Sequence, residues 1–128
     1  MSEFTDFLED ELLDHVFANA AYTAPTTIYL ALYTTTCSDS ARGTEVTGGG
    51  YARQATAFGT ASAGTISNSA IESFTPSGAN YGTVVATGLE DASSAGNQLC
   101  FDNDFTDTVV NDGNTLEFGV GDIDVSLA

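Results

Sequence analysis

The side chains that could take up a proton, a metal or an electron pair are few in this chain. Its single histidine, His15, stands among Glu11, Asp14 and Val16. A hydrolytic nucleophile needs such a base beside a Ser, Thr or Cys. Nothing near His15 completes that pair, and it reads as a solvated or partner-facing side chain. Eighteen carboxylates make some pair suitable for glycoside chemistry easy to find, but there is no Trp to stack a sugar ring. Asp102, Asp104 and Asp107 of "DNDFTD" are weak metal candidates, spaced so that they could converge on a hard cation such as Ca²⁺. An EF-hand loop needs Gly at its sixth position and Glu at its twelfth. Here those places hold Asp107 and Gly113, so the pattern fails and a polar hairpin loop is the plainer reading. "GTEVTGGGYARQ" has the glycines of a phosphate-cradling loop but neither the "GK[ST]" nor the helix pattern that must follow. Cys37 and Cys100 both adjoin strand-like runs. A bridge between them is geometrically thinkable, two free and partly buried thiols are the plainer reading, and a four-ligand zinc site is beyond them. No catalytic residue and no cofactor site is assigned, and the chain is not expected to be an enzyme.

What remains is charge. The formal net charge is −16, lysine is absent, and Arg42 and Arg53 are the only two strong cations. Counterion release on nucleic acid needs many Lys and Arg contacts, and anionic lipid headgroups need the same, so neither partner is expected. No apolar run approaches the ~20 residues of a membrane span. The acidic beginning lacks the cationic, apolar layout of a secretory leader. Self-repulsion of so many carboxylates favours a high-salt setting, because the Debye length falls to about 3 Å near 1 M salt. Arg53 is conspicuous against this background. It follows the glycine run 48–50 and stands in "YARQATAF", which reads as a strand. Its planar fork can join carboxylates of its own fold or of a neighbouring subunit.

The elements that must position these residues divide the chain in two. Phe4, Phe7, Leu8, Leu12, Val16, Phe17 and Ala20 recur at three- and four-residue spacing, which predicts one amphipathic helix over residues 3–20, capped by Ser2 or Thr5. Glu3, Asp6, Glu9 and Asp10 suit the positive end of its dipole, and Pro25 closes off continuation. From residue 26 the period becomes two. In "TTIYLALYTT", Ile28, Leu30 and Leu32 alternate with Tyr29, Ala31 and Tyr33, a strand buried on at least one side. "YARQATAF", "AIESF", "YGTVVATGLED", "NQLCF", "TLEFGV" and "DIDVSL" continue the series. "GGG" at 48–50, "TPSGAN", "SSAGN" and "NDGN" supply the turns between them. The expectation is a mainly β fold: a β-sandwich or small barrel of about seven strands preceded by one N-terminal amphipathic helix. Residues 1–128 form a single domain, with 1–21 the helical segment and 26–128 the β-domain. Leu, Ile, Val and Phe together number 29 residues, little above the roughly 20% below which a highly charged chain stays disordered. So thin a core predicts completion by copies or companions. The candidate assembly contacts are Phe4, Phe7, Leu8 and Phe17 of the stripe, with Tyr51 and Arg53 after the glycines.

The succession "HVFANAAYTAPTTIYLALYTT", "GTEVTGGGYARQATAF", "SNSAIESF", a "YGTV" strand and a terminal "GDIDVSL" resembles a family of small virion structural proteins from tailed phages and tailed archaeal viruses, labelled tail-fibre, minor structural or head-decoration proteins. "GLEDASSAGNQ" and "FDNDFTDTVVNDGN" depart from that pattern as acidic insertions. The resemblance carries no catalytic residues. It implies a non-enzymatic component of a tailed virus particle, made in the host cytoplasm and located in the virion, whose partners are other virion proteins and copies of itself in a symmetric homo-oligomer. Its place would be capsid decoration or turret, or tail or baseplate fibre. The competing expectation is a host-surface module that binds a glycan or protein through loops bearing Tyr22, Tyr29, Tyr33, Tyr51 and Tyr81.

The charge reading yields a first prediction. Lowering salt from molar to ~0.1 M is expected to lower the melting temperature, because unscreened carboxylates repel across the surface. Thermal unfolding followed by circular dichroism across that range checks it, and an unchanged midpoint removes the high-salt inference.

Overall fold

The computed structural model describes residues 3–127; Ser2, one of the two expected caps, lies outside them. In chain order the elements are β1 (Glu3–Phe4), α1 (Asp6–Phe17), β2 (Ile28–Tyr33), β3 (Gln54–Thr56), β4 (Thr65–Ser67), β5 (Glu72–Phe74), β6 (Gly82–Val84), β7 (Ala86–Glu90), β8 (Gln98–Asp102), β9 (Thr108–Val110), β10 (Leu116–Phe118) and β11 (Asp124–Ser126). The fold is mainly β with one N-terminal helix, as the periodicities predict. There are eleven strands among the described residues rather than about seven, because β1 forms where the helix was expected to start, β4 and β9 form in stretches that read as loop, and "YGTVVATGLED" supplies two strands. Among the described residues no sheet closes into a barrel. One antiparallel sheet has the order β1-β8-β7-β2-β3, and three two-stranded ladders, β10-β5, β11-β4 and β6-β9, complete the set.

The five-stranded sheet exists because β2 has no polar face. Leu30, Ala31, Leu32 and Tyr33 are each fully buried, so both sides of the strand are covered. On one side Leu30, Leu32, Leu89 and Cys100 pack with Phe74, Val84, Val110, Phe118 and Ile123, which the small ladders supply. On the other side Ala31, Tyr33, Ala86 and Phe101 pack with Cys37, which arrives from the segment after β2. The two cysteines are free and belong to these separate clusters. Burial pushes the Cys100 thiol up to about 12.

The helix is shorter than its periodicity suggests. Phe4 pairs with Cys100 in β1 instead of starting the helix, and packs against the core. Thr5 caps α1: its hydroxyl oxygen accepts from Leu8 N at 3.4 Å and donates to Gln98 O at 2.6 Å. The cap therefore fixes the helix start to β8 as well. Asp6 and Glu9 occupy the first turn and His15 the last, as the dipole favours. Asn19, with φ of 56°, turns the chain out of the helix.

The three glycines after Thr47 are hinge residues in fact, since Gly48, Gly49 and Gly50 all have positive φ. They deliver Tyr51 and Arg53 just ahead of β3, so Arg53 precedes the strand rather than standing within it. Gly49 is also pressed against the following turn. A Cβ there would lie 2.7 Å from Ala79 O, whereas one at Gly50 would meet nothing within 4 Å. Gly50→Ala is expected to cost about 1–2 kcal/mol from the left-handed conformation alone. Gly49→Ala adds a backbone clash and is expected to lower the melting temperature well beyond Gly50→Ala. Equal melting curves for the two variants would contradict the contact.

Candidate functional site

The second face of the sheet carries an unusual burden. Glu90, at the end of β7, is fully buried, and an isolated carboxylate in that position would be prohibitively unstable. Every neighbour able to donate turns toward it. The Tyr33 hydroxyl donates to Glu90 Oε1, and Gln98 Nε2 donates to the same oxygen at 3.1 Å. Arg42 Nε donates to Oε2 at 2.8 Å, and Arg53 Nη1 stands 3.9 Å from Oε2. Orienting the Gln98 amide this way leaves its Oε1 buried with no partner in the protein.

Arg53 holds a second carboxylate. Its Nε and Nη2 meet Glu45 Oε1 and Oε2 at 2.8 and 2.9 Å, a two-pronged pair that lysine could not form. The Tyr51 hydroxyl donates to Glu45 Oε1 at 2.9 Å and accepts from Leu32 N at 3.0 Å. Four further guanidinium hydrogen bonds go to the loop between β7 and β8. Arg53 Nη1 donates to Ala92 O and Ala95 O, and Arg42 Nη2 donates to Ala95 O and Gly96 O, at 2.7–3.0 Å. The carbonyl of Ala95 thus bridges both arginines. Asp91 and Asn97 close the base of this loop by backbone and side-chain bonds.

The electrostatics follow. Hydrogen bonds to Glu45 raise Arg53 further above its already high range, against the effect of burial. Burial alone would lift the Glu45 carboxyl, but the bonds from Arg53 and Tyr51 outweigh it and hold the group below the ordinary carboxylate range. Burial first, and then the charge of Glu90, pushes the Tyr33 phenol up. Gly88 makes room for the cluster: a Cβ on it would lie 2.5 Å from Gln98 Nε2 and 3.1 Å from Glu90 Oε1.

Of the two pairings open to Arg53, the intramolecular one is present. Tyr51 is also committed internally, stacked on Phe74 and edge-on to Tyr81. Phe4, Phe7 and Leu8 are half-buried, which leaves Phe17, 78% exposed, as the one open position among the six assembly candidates. The expected single stripe is divided: Phe7, Leu8 and Leu12 are half-buried, while Val16 and Phe17, joined by Leu13 from outside that stripe, face outward from a helix with no buried residue. Tyr33 and Tyr81 are buried and Tyr51 lies against the core, so three of the five tyrosines are not loop-borne contact residues. Asp102 accepts from Asp104 N at 2.8 Å, closing a turn. Among the described residues, Asp102, Asp104 and Asp107 are not gathered into a group that could hold a metal. His15 has backbone partners only, Ala20 O and Tyr22 N.

Sequence reasoning missed Glu45, Glu90 and Arg42. Their signal was arithmetic: in a chain with two cations, each must answer to some buried acid, and Glu90 ends an otherwise apolar run. The segment "GLEDASSAGNQ", set aside as an insertion, supplies both that acid and the carbonyls over the arginines.

Comparison with protein families gives a match over residues 3–126 to the family described as Podophage GP4 fiber I protein gp80. No curated protein matches the sequence. The chain belongs to this phage fibre family and is a component of a virion.

The network generates a prediction. Arg53→Ala leaves Glu45 and Glu90 short of a cation, a change that typically costs about 3–5 kcal/mol and a melting-temperature loss on the order of 10 °C. Glu45 has a depressed carboxyl pKa, so its contribution is full above the ordinary carboxylate range and fades as pH falls through the folded value. The gap between parent and Arg53→Ala should therefore narrow below about pH 4. Paired urea titrations across pH 3–7 check it; a gap that is small, or constant with pH, contradicts the assignment.

Proposed function

We propose that this member of the phage fibre family is a non-enzymatic subunit of the tail fibre, working by shape and multiplicity rather than by chemistry. Copies join as a symmetric homo-oligomer, and the N-terminal helix attaches the assembly to other virion proteins. One observation carries the reading. Leu13, Val16 and Phe17 on α1, and Ile71, Val109, Val120 and Leu127 on the β body, remain 56–78% exposed. In a chain with few large apolar residues, leaving these in water is a loss that association recovers at roughly 25 cal/mol per Å² buried. Closed symmetry lets a modest contact on each copy be repeated around an axis. The family description favours the fibre over the capsid-decoration position.

Light scattering of the purified protein in molar salt is expected to give a defined multiple of the 13.2 kDa chain. Gold-labelled antibody on intact virions is expected to mark tails. A monomer at all concentrations overturns the homo-oligomer, and label confined to heads overturns the fibre position.

A further inference from the structure

We infer that the outward face of α1 docks onto an apolar surface bordered by Lys or Arg on a different virion protein, and not onto a second copy of this chain. The inference deepens the fibre reading and rests on it for the partner being a virion protein.

The helix is tethered at one end. Thr5 N donates to Leu99 O at 3.0 Å, Asp6 N donates to Asp39 O at 3.1 Å, and the Thr5 hydroxyl bonds β8. Beyond Leu12, every residue of α1 is exposed. Leu13, Val16 and Phe17 are spaced i, i+3, i+4 and so share one face. Asp10 stands three residues before Leu13, and Asp14 three before Phe17, so exposed carboxylates border the apolar residues.

The nature of the occupant follows from the fate of the cations. Lysine is absent. Arg42 is spent on Glu90 and two loop carbonyls, and Arg53 on Glu45 and two loop carbonyls. A second copy therefore brings at most the partly exposed Arg42, already bonded to Glu90, Ala95 and Gly96, to meet Asp10 and Asp14. In a face-to-face contact it sets its own Asp10 and Asp14 against the same pair instead. Like charges placed across an interface oppose association and exclude wrong partners. A surface that covers Leu13, Val16 and Phe17 and also answers the bordering carboxylates has to supply the cations itself. That describes a basic, apolar-centred surface on another protein, which would receive the helix in the manner of an amphipathic helix laid in a groove.

The test uses the full chain and three labelled peptides about five helical turns long, measured by fluorescence anisotropy at ~0.15 M salt. One peptide has a Leu stripe bordered by Lys, one has the same Leu stripe bordered by Glu, and one carries the Lys residues with Ser in place of Leu. The Leu/Lys peptide is expected to bind, and the Leu/Glu peptide to fail. The Lys/Ser peptide should bind at least about tenfold more weakly, since it buries no apolar side chain. Leu13→Ser with Phe17→Ser should weaken the Leu/Lys complex by about tenfold or more while leaving the melting curve unchanged, both positions being exposed. Asp10→Asn with Asp14→Asn should weaken binding and flatten its salt dependence. Equal binding of the Lys/Ser and Leu/Lys peptides, or binding indifferent to the serine variant, overturns the inference in favour of diffuse attraction. Self-association at ~0.15 M salt that the serine variant abolishes overturns it in favour of a second copy. Virion labelling away from tails would remove the fibre reading while leaving the peptide result in place, so the two failures are distinguishable.

Discussion

A carboxylate buried beneath a sheet cannot be left to itself, and in this protein the charge at Glu90 recruits both of the arginines the chain possesses. Arg42 binds it directly. Arg53 lies within 3.9 Å of it while gripping Glu45. The cost of desolvating such groups is offset only where geometry is good and spare donors are satisfied. Here four of the other guanidinium hydrogens find the carbonyls of Ala92, Ala95 and Gly96. The β7–β8 loop is therefore folded down onto the arginines rather than free over the sheet. The path of the chain after β2, which carries Arg42, Glu45 and the glycine hinge, is fixed by the same centre. Gly88 is required because no side chain fits between Gln98 and Glu90.

The consequence reaches the surface. Because both arginines are engaged within the fold, the charged groups that face outward are mostly carboxylates, set among neutral polar and a few apolar side chains. The two facts belong together. A scaffold that needs its arginines inside leaves recognition to apolar contact and to whatever positive charge a neighbour brings. The helix is the element most clearly shaped by this division. Thr5 closes its first turn against β8, and its last turns extend past the sheet with Leu13, Val16 and Phe17 uncovered.

Much of this was legible in the residues. The helix, a cap at Ser2 or Thr5 and the dipole-matched acids were readable because capping and charge placement act within one turn; the structure chose Thr5. The strand at 28–33 was readable because Ile and Leu alternate with Tyr and Ala in a run of only six residues between Thr-rich flanks. Other features were not. "YGTVVATGLED" reads as one strand but changes sheets at Val85, whose N–H goes to Tyr33 O, and that switch is set by partners distant in sequence. The turn residues marked where the chain reverses without saying which strands then pair. "SSAGN" joins the paired β7 and β8, whereas "NDGN" joins β9 and β10, which pair elsewhere. The apolar positions of the helix promised one stripe, and the body of the protein ends too soon to cover it.

The sequence by itself determined the class of fold, the scarcity of cations, the weakness of any catalytic constellation and the question of what Arg53 does. These are matters of composition and of spacing within a turn or a strand. Only the tertiary structure decided that Arg53 answers Glu45 and stands beside Glu90, that Arg42 shares the task, and which end of the helix stays open. A charge pair between residues 53 and 90 depends on the path of every segment between them, and no local pattern encodes that path.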